Sequence, residues 1–194
     1  MTRSRTKPAT LGKREAILAA VLEVAVERGF HDAPMSLIAE RSGASAGVIY
    51  HYFPSKEAII QAVYDRICAL KRAKLLDGYG PHLDARGAFL GVFARAYAFN
   101  RDHLREMHFL AQYESAGFRA ATDADRSSDD ERIAFERRFR GKAKGGVLDD
   151  LPEHVLYELT LGLAARLAKQ PKRLTRATLQ RVAERVWESI RAHD

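Results

Sequence analysis

Hydrophobic positions recur every three or four residues through nearly the whole chain. Between Arg14 and Arg28 the residues Ile17, Leu18, Val21, Leu22, Val24 and Ala25 fall on one face, and Gly29 follows as a C-terminal glycine should. This predicts a first long helix. After Ser55, the residues Ile59, Val63, Ile67 and Leu70 line a second, which the breaker cluster Gly78-Tyr79-Gly80-Pro81 ends. That cluster is the predicted joint between two regions. Phe89, Val92, Phe93, Ala96 and Tyr97 predict a helix near 84–100, and Leu104, Met107, His108 and Ala111 another near 102–116. The polar stretch Thr122 to Asp130 predicts a loop before a charged helix around 129–141. Pro152 opens a helix carrying Val155, Leu159, Leu163 and Leu167 that Pro171 stops, and Leu179, Val182, Val186 and Ile190, with Trp187 beside them, predict the last. No window alternates apolar and polar residues over strand length. The predicted fold class is all-α, with about nine helices and no internal repeat.

Between the two long helices lies Pro34-Met-Ser-Leu-Ile-Ala-Glu-Arg-Ser-Gly43-Ala-Ser-Ala-Gly-Val-Ile-Tyr-His-Tyr-Phe53. Pro34 suits a first helical position, and Met35, Leu37, Ile38 and Ala39 give a short helix an inner face. Gly43 reverses the chain in the left-handed conformation, and Ser45 caps a second short helix running through Tyr52. Two short helices around a glycine turn are what an exposed helix in a DNA major groove requires. An ordinary helical corner reads the same way.

Charge sharpens the choice. The chain has 194 residues and a net charge of +7. Residues 1–14 carry Arg3, Arg5, Lys7, Lys13 and Arg14 against no acid, whereas residues 15–56 are net acidic. The excess is a basic arm, which either enters a minor groove or is a solvated tail. Lys13 and Arg14 begin the first long helix and Lys56 the second. A cation at a helix N-terminus costs roughly 0.3–1 kcal/mol at exposed sites unless an anion sits there. A phosphate on free backbone N–H groups would turn that cost into attraction. Tyr50 and Tyr52 add phenolic groups, one expected to reach a phosphate while the other ring packs inward.

Gly29-Phe30, Ile38-Ala39 and the run Ser42-Gly43-Ala44-Ser45-Ala46-Gly47-Val48-Ile49-Tyr50-His51-Tyr52-Phe53-Pro54-Ser55-Lys56-Glu57 together resemble the DNA-binding region of the TetR family of bacterial transcriptional regulators. The resemblance covers roughly residues 13–60. It implies a cytoplasmic homodimer that binds a near-palindromic double-stranded DNA operator, usually as a repressor, and is released by a small-molecule effector. It also implies a division into a flexible basic arm (1–12), a helix-turn-helix DNA-binding domain (13–56), a connecting helix (57–77) and a helical ligand-binding and dimerisation domain (82–194). Ser45, Ala46, Gly47, Val48, Tyr50, His51, Tyr52 and Lys56 are the expected DNA contacts. The family usually has Thr or Ser where Ala33 stands, so the cap of the first short helix is absent, with Asp32 as an imperfect substitute. A basic residue is common where Ala46 stands and Thr or Ser where Val48 stands. Base readout is therefore expected to be apolar, with Val48 or Ala46 against a thymine methyl.

The last two helices offer a dimer seam, with Leu159, Leu163 and Leu167 packing beside Val182, Val186 and Ile190 against a second copy; the alternative is that these faces pack inside one subunit. Polar groups on otherwise apolar stripes mark the candidate effector site, though each equally suits a satisfied core position. They are Tyr97 and Asn100 after Phe89 and Phe93, His108 after Met107, and Arg166, which faces either a carboxylate ligand or Glu158. An amphipathic or aromatic molecule suits such a lining.

Enzyme signatures are missing from the sequence. It has no phosphate-binding glycine loop, no His-Glu-x-x-His, no Gly-x-Ser-x-Gly and no zinc-spaced Cys/His set. A calcium-like run at Asp123, Asp125 and Ser127 has Ser128 in place of the needed glycine and Ala134 in place of the bidentate Glu. His103 and His108 are five apart and share no helix face. Cys68, the only cysteine, is expected to be a buried, inert thiol, and the lack of a leader-like apolar run points to the cytoplasm. No enzyme, metal or cofactor is expected. The alternative function is a helical homologue acting through protein contacts without DNA.

Overall fold

The computed structural model describes residues 12–30, 32–80, 82–116, 137, 139–141 and 146–192. Among them the fold is all-helical. The helices are α1 (Lys13–Arg28), α2 (Met35–Ser42), α3 (Ala46–Tyr52), α4 (Lys56–Leu76), α5 (Ala85–Asp102), α6 (Leu104–Ser115), α7 (153–168) and α8 (Arg176–Ile190). No described residue lies in a strand, and extended pairing is limited to two isolated bridges, Gly141 with Leu148 and Leu148 with Arg191. The expected charged helix around 129–141 and the loop before it fall almost wholly outside the described residues, as does the arm through residue 11. This leaves eight described helices where about nine are predicted. No described helix is long and apolar enough to cross a membrane.

Contacts divide the chain into two compact units. The first takes in α1 to α3, α4 as far as Ile67, and α6 from Arg105. Its core is built from Ile17, Leu18, Val21 and Val24 of α1, Ile38 of α2, Ile49 of α3 and Ile59 and Val63 of α4, all buried. The inner side of α6 differs from the expected one. Leu104 is 63% exposed, His108 and Ala111 are exposed and Met107 is half-buried, while Phe109, Leu110 and Tyr113 are buried. The Phe109 ring meets Phe30 edge-on at 5.0 Å. Tyr113 stacks on Tyr64 at 4.2 Å, and its hydroxyl donates to Gln61 Oε1. Both stripes have helical spacing, and the one with two aromatic rings removes more apolar surface from water.

The second unit holds α4 from Cys68, α5, α7 and α8. Phe89 packs on Trp187, ring centroids 5.4 Å apart, and Phe93 is 1% exposed. Arg101 ends α7 by donating to the carbonyls of Ala168 (2.9 Å), Gln170 and Pro171 (3.1 Å), satisfying groups that a helix C-terminus leaves without partners. A π-helical turn, Glu158–Gly162, interrupts α7, and Thr160 Oγ1 donates to Leu156 O at 2.6 Å beside it. Val186 and Ile190 face the core of their own chain, at 8% and 0% exposure. Cys68 is half-buried, short of the full burial expected.

Candidate nucleic-acid interface

The turn between α2 and α3 is assembled from local hydrogen bonds. Pro34 stands one residue before α2, as its extended N-cap, and no side chain caps the helix. Asp32 does not take that role, and Ala33 is instead buried at 3% exposure. At the other end, Gly43 takes φ +63°, and its N–H donates to Glu40 O at 3.3 Å. A β-carbon would be strained in that left-handed conformation. Ser42 Oγ donates to Ala39 O and accepts the Ala44 N–H, both at 3.3 Å, tying down the residue after the glycine. Ser45 Oγ accepts the Val48 N–H at 3.4 Å, so α3 starts where the sequence places it.

Seven-residue α3 is anchored on one side only. Ile49 is fully buried, and Phe53, just past the helix, is 4% exposed beneath the Arg14 guanidinium, which sits 5.4 Å from its ring centre. On the other side Ser45, Ala46, Gly47, Tyr50, His51 and Tyr52 are exposed, and Val48 is half-buried. Tyr50 and Tyr52 are 49% and 43% exposed, so neither ring packs inward as expected; Ile49 and Phe53 fill that role. The His51 and Tyr52 rings meet edge-on at 5.6 Å. Two large rings are thus left at the surface of a short, locally capped helix.

Lys56 opens α4 and is half-buried against a small apolar hollow lined by Val21, Ala25, Phe30, Ala33, Ile38, Ile59 and Ile60. Ser55 caps the helix by accepting the Ala58 N–H at 3.1 Å. The Glu57 carboxyl is held below its usual range by a hydrogen bond to its own backbone and a second to Ser55. A carboxylate therefore shares this N-terminus with Lys56 and complements its partial positive charge.

Sequence reasoning passed over one ion pair that holds the region. Arg41 of α2 donates to both carboxylate oxygens of Glu27 in α1, at 2.8 and 2.6 Å. That hydrogen bond is the main cause both of the lowered Glu27 pKa and of the raised Arg41 pKa. The partners are 14 residues apart, beyond the reach of any local spacing rule.

The candidate effector residues fall into separate groups. Phe89, Phe93, Tyr97 and Asn100 lie together on the buried side of α5 in the second unit. Tyr97 Oη accepts the Leu174 N–H at 2.9 Å. Asn100 Nδ2 donates to Ala96 O at 2.8 Å, while its buried Oδ1 accepts no hydrogen bond. Met107 and His108 belong to the first unit, and His108 is exposed, its ring 3.3 Å from the Gln112 amide. Arg166 is exposed and paired with Glu158, one of its two expected partners. Among the described residues no group of three or more His, Cys, Asp and Glu side chains is placed to hold a metal ion.

Residues 17–63 match the family model of bacterial regulatory proteins, tetR family. Over 50 residues the chain is 48% identical to the transcriptional regulator UidR of Escherichia coli, a match covering 26% of each chain. The chain thus spans about a quarter of the length of this and the other first curated relatives it matches. An uncharacterized HTH-type transcriptional regulator of Haemophilus influenzae is 24% identical over 91% of this chain and 94% of its own. Among solved structures, a TetR-family transcriptional regulator of the same organism superposes with a TM-score of 0.76 at 24% identity, covering 93% of this chain and 97% of that one. A TetR family regulator of Marinobacter aquaeolei reaches 0.81 at 14% identity over 93% and 96%. At such identities the structural likeness speaks for the fold.

Proposed function

From the match of residues 17–63 to the tetR family of bacterial regulatory proteins, we propose a ligand-responsive transcriptional repressor that binds a near-palindromic DNA operator as a homodimer in the cytoplasm. One observation carries the reading. A capped short helix keeps Ile49 inside and leaves Ala46, Gly47, Tyr50 and His51 in water after a left-handed glycine turn. In this reading α3 enters the major groove, where Ala46, and Val48 at its half-buried edge, meet thymine methyl groups. Tyr50, Tyr52 and Lys56 bind phosphates, which fix register without reading sequence. Residues 13–56 are the DNA-binding domain, 57–77 the connection and 82–194 the effector and dimer domain. A single helix-turn-helix reads few bases, and two copies on a two-fold axis reach half-sites about 34–36 Å apart.

For the effector, the buried aromatic lining of Phe89, Phe93 and Tyr97 with the unsatisfied Asn100 Oδ1 supports an aromatic or amphipathic molecule carrying one hydrogen-bond donor. These side chains are packed, so the molecule binds a conformation in which they part. Its preference for that conformation lowers operator affinity by the same free energy.

Selection of duplexes from random sequence by the purified protein tests DNA binding and yields the half-site together. Tyr50→Ala and Lys56→Ala, assayed separately on the selected duplex, are each expected to weaken binding. Lys56→Ala should also reduce the salt slope by about one phosphate contact. Undiminished affinity in both variants contradicts the phosphate assignment. Failure to retain any duplex at low salt favours a regulator acting through protein contacts.

A further inference from the structure

An arginine below a protein surface keeps its charge, and each buried N–H that reaches no acceptor carries a desolvation cost. Several arginines of the second unit have partners. Arg86 pairs with Glu184 at 3.1 Å, Arg173 with Asp102 at 3.5 Å and Arg166 with Glu158, while Arg101 donates to three carbonyls. Arg95 of α5 is different. Its Nε donates at 2.7 Å to Leu75 O, one of the last four carbonyls of α4. Its Nη2 is buried and reaches no acceptor. Burial holds the Arg95 pKa below the ordinary arginine value, and Asp77 is the one charge that opposes this. Capping α4 accounts for Nε and leaves Nη2 unexplained.

The position of that group narrows what it could meet. Arg95 stands at the edge of the buried side of α5, one turn from Val92 and Phe99, both buried. The guanidinium folds back along its own helix, so that Nη1 and Nη2 lie 2.9 and 3.2 Å from where a β-carbon on Gly91 would stand. Asn100 Oδ1, the other buried side-chain atom without a partner among the described residues of this unit, belongs to the same helix. One of the two is a cationic donor and the other a neutral acceptor. Phe89 and Phe93 supply apolar surface beside them.

We infer that Arg95 receives a carboxylate of the effector on Nη2, while Nε keeps its hydrogen bond to the end of α4. Such a charge-assisted hydrogen bond is roughly twice as strong as a neutral one. The bond to Leu75 already places the guanidinium, so little freedom is lost when the anion arrives. This rests on reading the second unit as the effector domain, and the anion enters in the same parted conformation. It gives to Arg95 the acid-binding role expected of Arg166, which Glu158 occupies.

Trp187, the only tryptophan, packs on Phe89 and reports binding through its fluorescence. The full chain is titrated at neutral pH with benzoate, phenylacetate and octanoate, each beside its uncharged primary amide. At least one acid is expected to bind about tenfold more tightly than its amide, the order of effect of a hydrogen bond to a charged group. Arg95→Gln, which keeps a donor without the charge, is expected to lower the affinity of that acid to that of its amide and to leave the amide unaffected. Arg95→Lys, which keeps the charge without the planar fork, is expected to show a reduced preference for the acid. An undiminished preference in Arg95→Gln overturns the inference. Should Arg95→Gln fail to melt cooperatively, an undiminished preference in Arg95→Lys does the same. Acid and amide binding equally well to the unsubstituted protein overturns the inference and leaves the effector site standing. No response to any of the six compounds counts against both.

Discussion

The carboxylate of Glu27 receives two hydrogen bonds from one guanidinium, and the planar match between Arg41 and a carboxylate makes this pair more directional than a single contact. Its pKa is lowered from an ordinary value of 4.5, first by that hydrogen bond. A group whose pKa is lower folded than unfolded adds stability above the unfolded value and loses it as pH falls through the folded one. The pair therefore stabilises the junction of α1 and α2 at neutral pH and releases it in acid below 4.5. Both partners reach solvent, so salt screens the effect. Glu27→Gln is expected to melt below the unsubstituted protein at neutral pH, with the two melting curves converging as acid is added. Parallel curves across the range would assign the acid sensitivity to other carboxylates. At this scale local chemistry was legible and distant chemistry was not. Gly43 and Ser45 announce their roles because turn and cap are settled within three residues. Arg41 has the same local look as any exposed helix cation, and its partner lies 14 residues away. Tyr50 and Tyr52 show the same limit, since ring spacing says nothing of which ring the core has room for.

Elements are found by periodicity, but their rotation is decided by packing. Helix α6 is the clear case. Leu104, Met107, His108 and Ala111 satisfy the same three-and-four spacing as Phe109 and Tyr113, and the aromatic face wins because Phe30 and Tyr64 offer rings to meet it. Removing Phe109, which is fully buried, leaves a cavity against Phe30 and is expected to cost about 3–5 kcal/mol on truncation to alanine. Leu104→Ala, at a position 63% exposed, is expected to change stability by no more than about 0.5 kcal/mol. Urea unfolding of the two variants separates the faces, and similar losses in both would mean that α6 is rotated from the described position. The π-helical turn in α7 was illegible for a related reason. Nothing in Glu158–Gly162 breaks a helix, and the wider turn accompanies a close approach at Gly162, where a β-carbon would lie 2.9 Å from the Glu158 carboxylate and 3.2 Å from the Tyr157 carbonyl.

For the whole molecule the proposed function needs two copies, and the burial pattern bears on where the proposed seam would lie. Val186 and Ile190, expected in the seam, already serve the core of their own chain and leave little surface to share. The apolar surface that remains on these helices includes Tyr157 and Leu159, 48% and 40% exposed, with Leu163, Leu167, Leu179 and Val182 half-buried. In the proposed dimer this apolar surface would form the seam, and a two-fold axis through it would pair the patch with itself. A charge at its centre then faces its own copy across the seam, where like charges repel at low dielectric. Leu159→Glu is therefore expected to leave the fold of each chain intact, because the position is exposed, while shifting the sedimenting species from dimer to monomer. Operator binding reads the same event. A duplex with two half-sites should lose at least tenfold in affinity, since the second recognition helix is no longer delivered with the first, whereas a duplex with one half-site should bind as before. A persistent dimer in Leu159→Glu would move the seam off α7. A monomer that still distinguishes two half-sites from one would instead mean that the copies are joined by DNA, with the protein surface contributing little.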